Sequence, residues 1–306
     1  MKKILVIGSS GFVGRHVAQE LRADGYAVRC LARNPAKVQD LAAIGCEVVQ
    51  GDMLDLASMQ HALESVDAAY ISVHTLSPQP ARTAGQGFMD VEMDGLRNIV
   101  TACRTNGVRR LIYVTFLGAA PDGPSAWIRG RWKAEQFLLH SGLDVTVIRP
   151  GQIVGVGGQG FNMLVAQAKR STALIMGSGR QKFRTIALDD LVYYLVGVLN
   201  DPRAHGQCYD VGSDDILTTD HMIDRAADIL GRKHPRKIHI PRAFLGALAP
   251  FIERRTKAPK GAIKGFLDGM KADMIGDPTP IRAILPRTPL PYRQAVERAL
   301  TGSRAS

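Results

Sequence analysis

Three glycines near the start of the chain, Gly8, Gly11 and Gly14, have the spacing that can hold the diphosphate of a dinucleotide. They follow an apolar run, residues 3–8, that is typical of a buried parallel strand, and they open a helical pattern. The first glycine allows a tight turn, the second lets a phosphate approach the backbone, and the third lets the helix pack closely on the sheet. The unpaired N–H groups at the start of a helix suit an anion. The predicted cofactor contacts in this turn are Gly8, Ser9, Gly11, Phe12, Val13 and Gly14.

A basic residue follows the predicted second strand, residues 26–32. Arg33 stands where an acidic residue would bind the ribose 2′-hydroxyl of NAD, and an arginine there accommodates a 2′-phosphate instead. We therefore predict NADP as the cofactor and consider NAD the less favoured one. The alternative is a solvated arginine at the end of a strand.

Asp52 and Met53 follow the predicted third strand, residues 46–50. A carboxylate at this place can accept a hydrogen bond from the adenine amino group while the methionine packs beside the ring. Asp52 can also cap the next helix, and the two roles are compatible.

Further cofactor contacts are predicted where later strands end, because ligands bind beyond the carboxyl ends of the strands in such sheets. The predicted strands are residues 67–73, 110–115 and 144–149. The predicted contacts that follow from them are Val73, His74, Thr115, Pro150, Gly151 and Ile153. A lone histidine such as His74 is more often structural than catalytic.

Strands and helices alternate along the chain, which predicts an α/β fold: a doubly wound parallel (Rossmann) sheet with a smaller C-terminal α/β substrate lobe. We assign residues 1–150 to the NAD(P)-binding domain, to which residues 184–212 return. The substrate lobe takes residues 151–183 and 213–306. Within this scheme a long helix spans residues 88–106, and Asp189 or Asp190 caps a helix over residues 191–199.

Several stretches together resemble an atypical extended short-chain dehydrogenase/reductase of the NmrA-like, NAD(P)H-binding type. They lie in the expected order within residues 1–200. They are Gly8 to Gly14, Leu31-Ala-Arg-Asn-Pro35, Gly51-Asp-Met-Leu-Asp55, residues 107–118, residues 141–151 and Ile186-Ala-Leu-Asp-Asp190. The resemblance is specific for the superfamily but not for a substrate.

The resemblance also implies a tyrosine and a lysine four residues apart on the helix after the fifth strand, and the chain departs from it there. The corresponding positions are Trp127 and Arg131. Tryptophan has no acid proton of useful pKa, and arginine stays charged but could hold a ribose or a phosphate. Arg131 is therefore a predicted cofactor contact, and the standard proton transfer is not expected. The remaining catalytic candidates are His74, Thr115 and Arg131.

The positive charge is confined to the C-terminal quarter. Residues 231–306 carry 16 Lys and Arg against 5 Asp and Glu, which accounts for the net charge of +11. The pattern of residues 241–274 predicts apolar and basic helices. These helices either lie on an anionic membrane or cover the substrate lobe. No nucleic-acid motif interleaves the basic residues, so nucleic acid is not an expected partner.

The remaining composition gives few restrictions on function. The four scattered cysteines predict free thiols, no metal site is predicted, and no apolar stretch could span a bilayer. A cytoplasmic location is expected, with peripheral membrane attachment as the alternative, and the oligomeric state stays open.

Two functions remain. One is an NADPH-dependent reductase of a small apolar carbonyl, enone or quinone. The other is a non-catalytic NADP(H)-binding redox sensor or an accessory subunit at a membrane-bound complex.

Overall fold

The computed structural model describes residues 1–73, 87–256 and 260–302. Its strands are β1 Lys3–Ile7, β2 Ala27–Ala32, β3 Glu47–Gln50, β4 Ala68–Ile71, β5 Arg110–Val114, β6 Asp144–Pro150, β7 Gln152–Val154, β8 Thr172–Met176, β9 Lys182–Ala187, β10 Gln207–Val211, β11 Ile216–Thr218 and β12 Arg236–Ile240. Its α-helices are α1 Phe12–Ala23, α2 Gln39–Ala43, α3 Leu56–Ala62, α4 Phe88–Asn106, α5 Ala126–Leu139, α6 Gln159–Ala168, α7 Leu188–Gly197, α8 Thr219–Ile229, α9 Arg242–Thr256, α10 Ala262–Gly269, α11 Thr279–Ile284 and α12 Tyr292–Thr301.

Seven strands form one sheet in the order β10-β6-β5-β4-β1-β2-β3. Every pairing between neighbours in this sheet is parallel. The chain winds outward from β1 in one direction through β2 and β3 and then in the other through β4, β5 and β6. The predicted doubly wound Rossmann sheet is therefore confirmed, and the carboxyl ends of β1 and β4 meet at the point where the winding reverses.

Helices cover both faces of the sheet because its central strands are largely apolar and are buried along most of their length. On one face, α1 and α7 bury Val17, Leu21, Leu191 and Leu195 against the strands. On the other face, α3, α4 and α5 contribute residues such as Met59, Leu96, Ile99 and Leu138. Burial on both faces is what a parallel sheet requires.

The rest of the chain builds smaller sheets beside this core. Strands β11, β9 and β7 form a three-stranded sheet, and β12 pairs with β8 in parallel. Helices α6, α8 and α12 pack on them around Phe161, Met222 and Tyr292. Between β9 and β11 of the smaller sheet, the chain returns once to the large sheet, where β10 pairs with β6.

Candidate functional site

The turn between β1 and α1 is built so that only glycine fits at two of its positions. Gly8 has φ +93°, and a Cβ there would lie 2.2 Å from Ser72 O. A Cβ on Gly14 would lie 2.4 Å from Gly8 O. These two glycines therefore let the turn pass close to β4 and let α1 pack against the turn.

Gly11 differs from these two, because its φ of −82° is accessible to any residue. A Cβ on Gly11 would meet only Gly8 O at 3.1 Å and Ser72 O at 3.9 Å. Gly11 is also the N-cap of α1, and no side chain caps that end of the helix. No side chain therefore covers the first N–H groups of α1. These groups can donate hydrogen bonds to a diphosphate.

Three predicted contacts in this turn direct their side chains into the protein. Ser9 is buried, and its Oγ donates to Leu31 O at 3.1 Å, which ties the turn to β2. The Phe12 ring packs beside Gly155 and Gly158, where added Cβ atoms would lie 3.0 and 2.9 Å from it. Val13 packs against the core cluster under α1. Contact with a nucleotide through their backbone atoms stays a prediction.

The end of β2 presents an unpaired cation. Arg33 is exposed, and its guanidinium has no hydrogen bond or ion pair within the described residues. The neighbouring Asn34 caps a short 3-10 helix by accepting from Ala36 N at 3.0 Å. Arg33 can therefore turn toward a phosphate without breaking an existing interaction.

The prediction that Asp52 caps the next helix is wrong. Asp55 is the N-cap of α3 and accepts from Ala57 N at 3.2 Å, because the chain needs one more turn before the helix begins. Asp52 Oδ1 accepts from Leu54 N within that turn at 3.0 Å. Met53 packs against α4, so that a Cβ on Gly95 would overlap its Cε. Nucleotide contact by Asp52 and Met53 stays a prediction.

The ends of β4, β5 and β6 hold the other predicted contacts. Val73 is half-buried beside the core, and His74 lies outside the described residues. Ile153 packs on the opposite core cluster, and a Cβ on Gly151 would lie 2.3 Å from Arg184 O. Pro150 is buried and accepts from Leu117 N at 3.0 Å. The structure brings Val73, Pro150, Gly151 and Ile153 to one edge of the sheet.

The Thr115 hydroxyl is engaged by a buried carboxylate. Its Oγ1 donates to Glu135 Oε1 at 2.6 Å, and Arg149 Nε donates to both oxygens of Glu135 at 3.1 Å. Burial raises the pKa of Glu135, and the hydrogen bonds from Arg149 oppose that rise. In this arrangement Thr115 orients β5 against α5 and β6 and has no free proton to give to a substrate.

Arg131 is part of a buried network below the site. Its Nη1 lies 2.9 Å from Glu92 Oε1 and donates to the Tyr113 hydroxyl at 3.1 Å. The Tyr113 hydroxyl in turn donates to Glu92. Burial, followed by the charge of Glu92, raises the pKa of Tyr113 well above its ordinary value. Arg131 thus has an internal carboxylate as its partner, and its contact with a cofactor stays a prediction.

Trp127 lies one helical turn before Arg131 on α5, in an apolar cluster. Its ring stacks on Phe116 with centroids 4.0 Å apart and an angle of 6° between the planes. Phe266 of α10 lies at a centroid distance of 6.4 Å. Met89 and Met274 pack against the same cluster. A buried aromatic cluster therefore occupies the place at which the resemblance implies a tyrosine acid.

The prediction that Asp189 or Asp190 caps a helix is wrong as well. The N-cap of α7 is Ala187, and the helix begins at Leu188, so both carboxylates lie in its first turn. Asp190 is buried and accepts from Arg287 Nε and Leu290 N, both at 2.7 Å. The carboxylate fastens the C-terminal segment to α7, a role that its local sequence does not reveal.

The described residues contain neither a membrane-spanning helix nor a metal-binding cluster. None of the helices there is both long and apolar enough to cross a bilayer. Within the same residues, no three His, Cys, Asp or Glu side chains are grouped as a metal site would need.

Comparison with known proteins identifies the family. Residues 8–202 match the family model described as NAD(P)H-binding. The chain belongs to this NAD(P)H-binding family. Together with the fold, the match places it among the atypical, NmrA-like short-chain dehydrogenase/reductase proteins.

Two relatives of this chain have names that refer to redox proteins. The chain is 27% identical to the NAD(P)H azoreductase of Xenophilus azovorans over 217 residues, which are 70% of this chain and 69% of that protein. It is 25% identical to the mitochondrial NADH dehydrogenase [ubiquinone] 1 alpha subcomplex subunit 9 of Arabidopsis thaliana over 252 residues, which are 80% of this chain and 61% of that protein.

A solved structure has the same fold. It is the NADPH-dependent quinone oxidoreductase QOR2 of Escherichia coli complexed with NADPH, with a TM-score of 0.71 and 19% identity. The match covers 97% of this chain and 99% of that chain.

Sequence reasoning missed the network of Tyr113, Glu92 and Arg131. One signal was present: Glu92 lies on the same helical face of α4 as Leu96 and Ile99, both of which are buried. A carboxylate on the apolar stripe of a helix needs a buried partner, and Arg131 is that partner.

Proposed function

We propose that this chain binds NADPH along the carboxyl edge of its parallel sheet and uses it to reduce a small apolar carbonyl, enone or quinone. The observation that carries the proposal is the uncapped N-terminus of α1, which lies behind a turn where Gly11 has no side chain to obstruct a phosphate. The N–H groups of that helix end supply donors and positive potential for the diphosphate.

Arg33 supports NADPH over NADH. Its guanidinium is exposed and unpaired among the described residues, and it follows the strand next to β1. An unpaired arginine can bind the 2′-phosphate through charge-assisted hydrogen bonds, whereas the bare 2′-hydroxyl of NADH gives it no anionic partner.

The acceptor is argued from the residues at the end of β5. Bound NADPH supplies a hydride. Trp127, Arg131 and Thr115 provide no acid for the accompanying proton, because the first has no acidic proton and the other two are held by Glu92 and Glu135. Water or His74 then supplies the proton, which favours acceptors such as quinones and enones, whose conjugation spreads the negative charge of the reduced form.

The test is calorimetry followed by turnover. Purified protein should bind NADPH at least about tenfold more tightly than NADH, a difference of about 1.4 kcal/mol. It should also oxidise NADPH in the presence of menadione or cyclohexenone. Gly11→Val should abolish both the binding of NADPH and its oxidation. Heat from neither coenzyme would refute the binding, and tight NADPH binding without oxidation across a panel of acceptors would refute the reductase.

A second candidate is a non-catalytic NADP(H)-binding protein that attaches to a membrane surface, and α9 favours it. Phe244, Leu248 and Phe251 lie at i, i+4 and i+7 on this helix. The two phenylalanines are 61% and 65% exposed. An exposed aromatic face of this kind can enter the interface of a bilayer.

The charges around this face fit an anionic surface. Arg254 and Arg255 are exposed in the last turn of α9. The acidic residue beside them, Glu253, accepts from Gly261 N at 3.0 Å and from Ile263 N at 2.9 Å. Its charge is therefore directed at the start of α10, and the arginines determine the potential of the exposed face.

Sedimentation with lipid vesicles tests this candidate. The protein should sediment with phosphatidylglycerol vesicles at low salt but not with phosphatidylcholine vesicles, and Phe244→Ser with Phe251→Ser should abolish the binding. Val156→Ser with Met163→Ser is the matched control, because those side chains are 61% and 56% exposed elsewhere. If the wild-type protein ignores both kinds of vesicle, the membrane candidate is wrong.

A further inference from the structure

A surface groove runs along one face of α6. Its volume is about 290 Å³. Phe161, Val165 and Lys169 line it at positions i, i+4 and i+8, so they share one side of the helix and its C-terminal end. Val156 from the loop after β7 and Leu300 from α12 line it as well. The groove is thus formed where three elements meet.

The lining of the groove is mostly apolar. Phe161 and Val165 belong to the core cluster beneath α6, and Leu300 packs against the same cluster. Val156 is 61% exposed. An apolar ligand that covers such a surface removes it from water, which favours binding. The groove therefore suits an apolar chain.

The loop that carries Val156 is held in place from two sides. Gly157 N donates to Asn162 Oδ1 of α6 at 3.4 Å. The Phe12 ring packs against Gly157 and Gly158. The groove is therefore formed before a ligand arrives, and binding does not have to order the loop.

Two cations meet where α6 ends. Lys169 is the C-cap of α6, and its carbonyl oxygen accepts from Arg232 Nη1 at 2.9 Å. Both residues are exposed, and within residues 1–73, 87–256 and 260–302 neither side chain has an ion pair. Asp228, one turn before Arg232, is paired with His234 at 2.8 Å, and no lining residue is acidic. Because the two positive charges repel each other, an anion between them is stabilised.

The volume of the groove limits the length of the ligand. A group of the size of a water molecule takes about 30 Å³ in a liquid. A groove of about 290 Å³ therefore holds about ten non-hydrogen atoms, the number in octanoate. The helix rises about 12 Å from Phe161 to Lys169, so an extended chain of this size can lie along it.

We propose that the groove binds a medium-chain fatty acid of about eight carbons. Its carboxylate lies between Lys169 and Arg232, and its alkyl chain covers Val156, Val165 and Leu300. The site is separate from that of the hydride acceptor, which is argued for the end of β5, where α5 and α10 supply the surrounding side chains. Binding of the fatty acid therefore does not rest on the proposed function.

Equilibrium dialysis of the full chain against radiolabelled fatty acids tests the proposal. The ligands are kept below their critical micelle concentrations, and no nucleotide is present. The dissociation constant should fall about threefold for each CH₂ added from hexanoate to octanoate and stay level from decanoate to dodecanoate, because the groove is then full. Octylammonium is the matched probe with the opposite charge, and it should bind at least about tenfold more weakly than octanoate.

Two variants locate the site. Ala166→Phe puts a ring into the groove, because Ala166 is exposed and lines it, and should abolish octanoate binding. Met163→Phe is its control, since Met163 is exposed on the same helix but does not line the groove. Lys169→Gln should weaken octanoate binding about threefold to fivefold, as for an exposed ion pair, and Lys264→Gln on α10 should leave it unchanged.

The proposal is overturned if octanoate does not bind, if octylammonium binds equally well, or if Ala166→Phe binds octanoate like wild type. A threefold gain for each CH₂ that continues to dodecanoate would also overturn it, since a longer surface would then be in use. The chain-length series uses the wild-type protein, so it decides the matter even if a variant does not fold. Failure of the proposed function is seen separately, as absence of heat on adding NADPH.

Discussion

At the scale of single residues, Gly11 and Gly14 can be separated by experiment although both belong to one motif. Gly11→Ala adds a methyl group 3.1 Å from Gly8 O and 3.9 Å from Ser72 O, so the fold should tolerate it while the phosphate loses its place. We expect NADPH affinity to fall at least about tenfold, or 1.4 kcal/mol, with little change in the thermal midpoint. Calorimetry and thermal unfolding of the same sample measure both.

Gly14→Ala is the contrasting change. Its Cβ would lie 2.4 Å from Gly8 O, a backbone atom that cannot turn aside. We expect the free energy of unfolding to fall by about 1–3 kcal/mol, the usual effect of overpacking. Equal loss of stability in the two variants would show that Gly11 serves packing and not the phosphate.

Arg33→Ala should change coenzyme preference and leave stability intact. The side chain has no partner among the described residues, so its removal breaks no internal contact. We expect NADPH to bind at least about tenfold more weakly, from the loss of a hydrogen bond between charged groups, with NADH binding unchanged. Arg109→Ala is the control, since Arg109 precedes β5 at the amino edge of the sheet. A parallel fall for both coenzymes would contradict the assignment of Arg33 to the 2′-phosphate.

At the scale of elements, β2 and β3 are joined by an ion pair whose contribution depends on pH. Arg29 and Glu47 are opposite each other in the pairing, with Arg29 Nη2 2.9 Å from Glu47 Oε1. The hydrogen bond from Arg29 lowers the pKa of Glu47 below its ordinary value of 4.5. A carboxyl group whose pKa is lower in the folded state stabilises the fold above its unfolded pKa and loses that effect as the pH falls through the folded pKa.

Glu47→Gln should therefore lower stability at neutral pH but not in acid. Because the Glu47 side chain is 45% exposed and solvent screens the pair, the loss should be no more than about 1 kcal/mol. Urea unfolding at about pH 7 and about pH 3 measures it, and the difference from wild type should disappear at the lower pH. Glu20→Gln on α1 is the control, because Glu20 is exposed and has no ion pair among the described residues. A deficit of equal size at both pH values would contradict the ionic origin.

Local sequence rules predicted the elements whose pattern is complete within one segment. Helix α4 has the predicted bounds, because its apolar stripe is regular and Gly107 ends it with φ +71° in the left-handed region. The strands of the large sheet were found for a similar reason. The central strands β1, β2, β4, β5 and β6 are short, largely apolar runs that are buried on both faces and followed by turn residues.

Features that depend on distant partners were not predictable in this way. The pairing of β8 with β12 joins segments some sixty residues apart, and its partners Leu174 and Ile238 are both partly exposed, so neither strand has the pattern of a buried one. The glycine turn of the candidate site was evident from the sequence, whereas the partners of Arg131 and Thr115 come from other elements. Their side chains had no visible acceptor until the fold placed Glu92 and Glu135 beside them.

At the scale of the whole molecule, α12 binds the end of the chain to the smaller sheets. Tyr292 is fully buried, and its hydroxyl donates to Met222 O at 3.0 Å. Tyr292→Ala should lower the free energy of unfolding by about 3–5 kcal/mol, because it leaves a large cavity between α12 and α8. Tyr292→Phe removes only the hydrogen bond and should cost about 1 kcal/mol. Chemical unfolding distinguishes them, and similar losses in the two variants would contradict a packing role.

The late return of β10 has a consequence for biosynthesis. Strand β6 ends at Pro150, but its neighbour β10 begins at Gln207, so the ribosome makes more than fifty residues before the edge of β6 can be covered. At about 5–20 residues per second, the nascent chain displays an apolar, unpaired edge for several seconds. A polypeptide released by premature termination in that interval would be a target for chaperones and proteases and would not be a smaller nucleotide-binding protein.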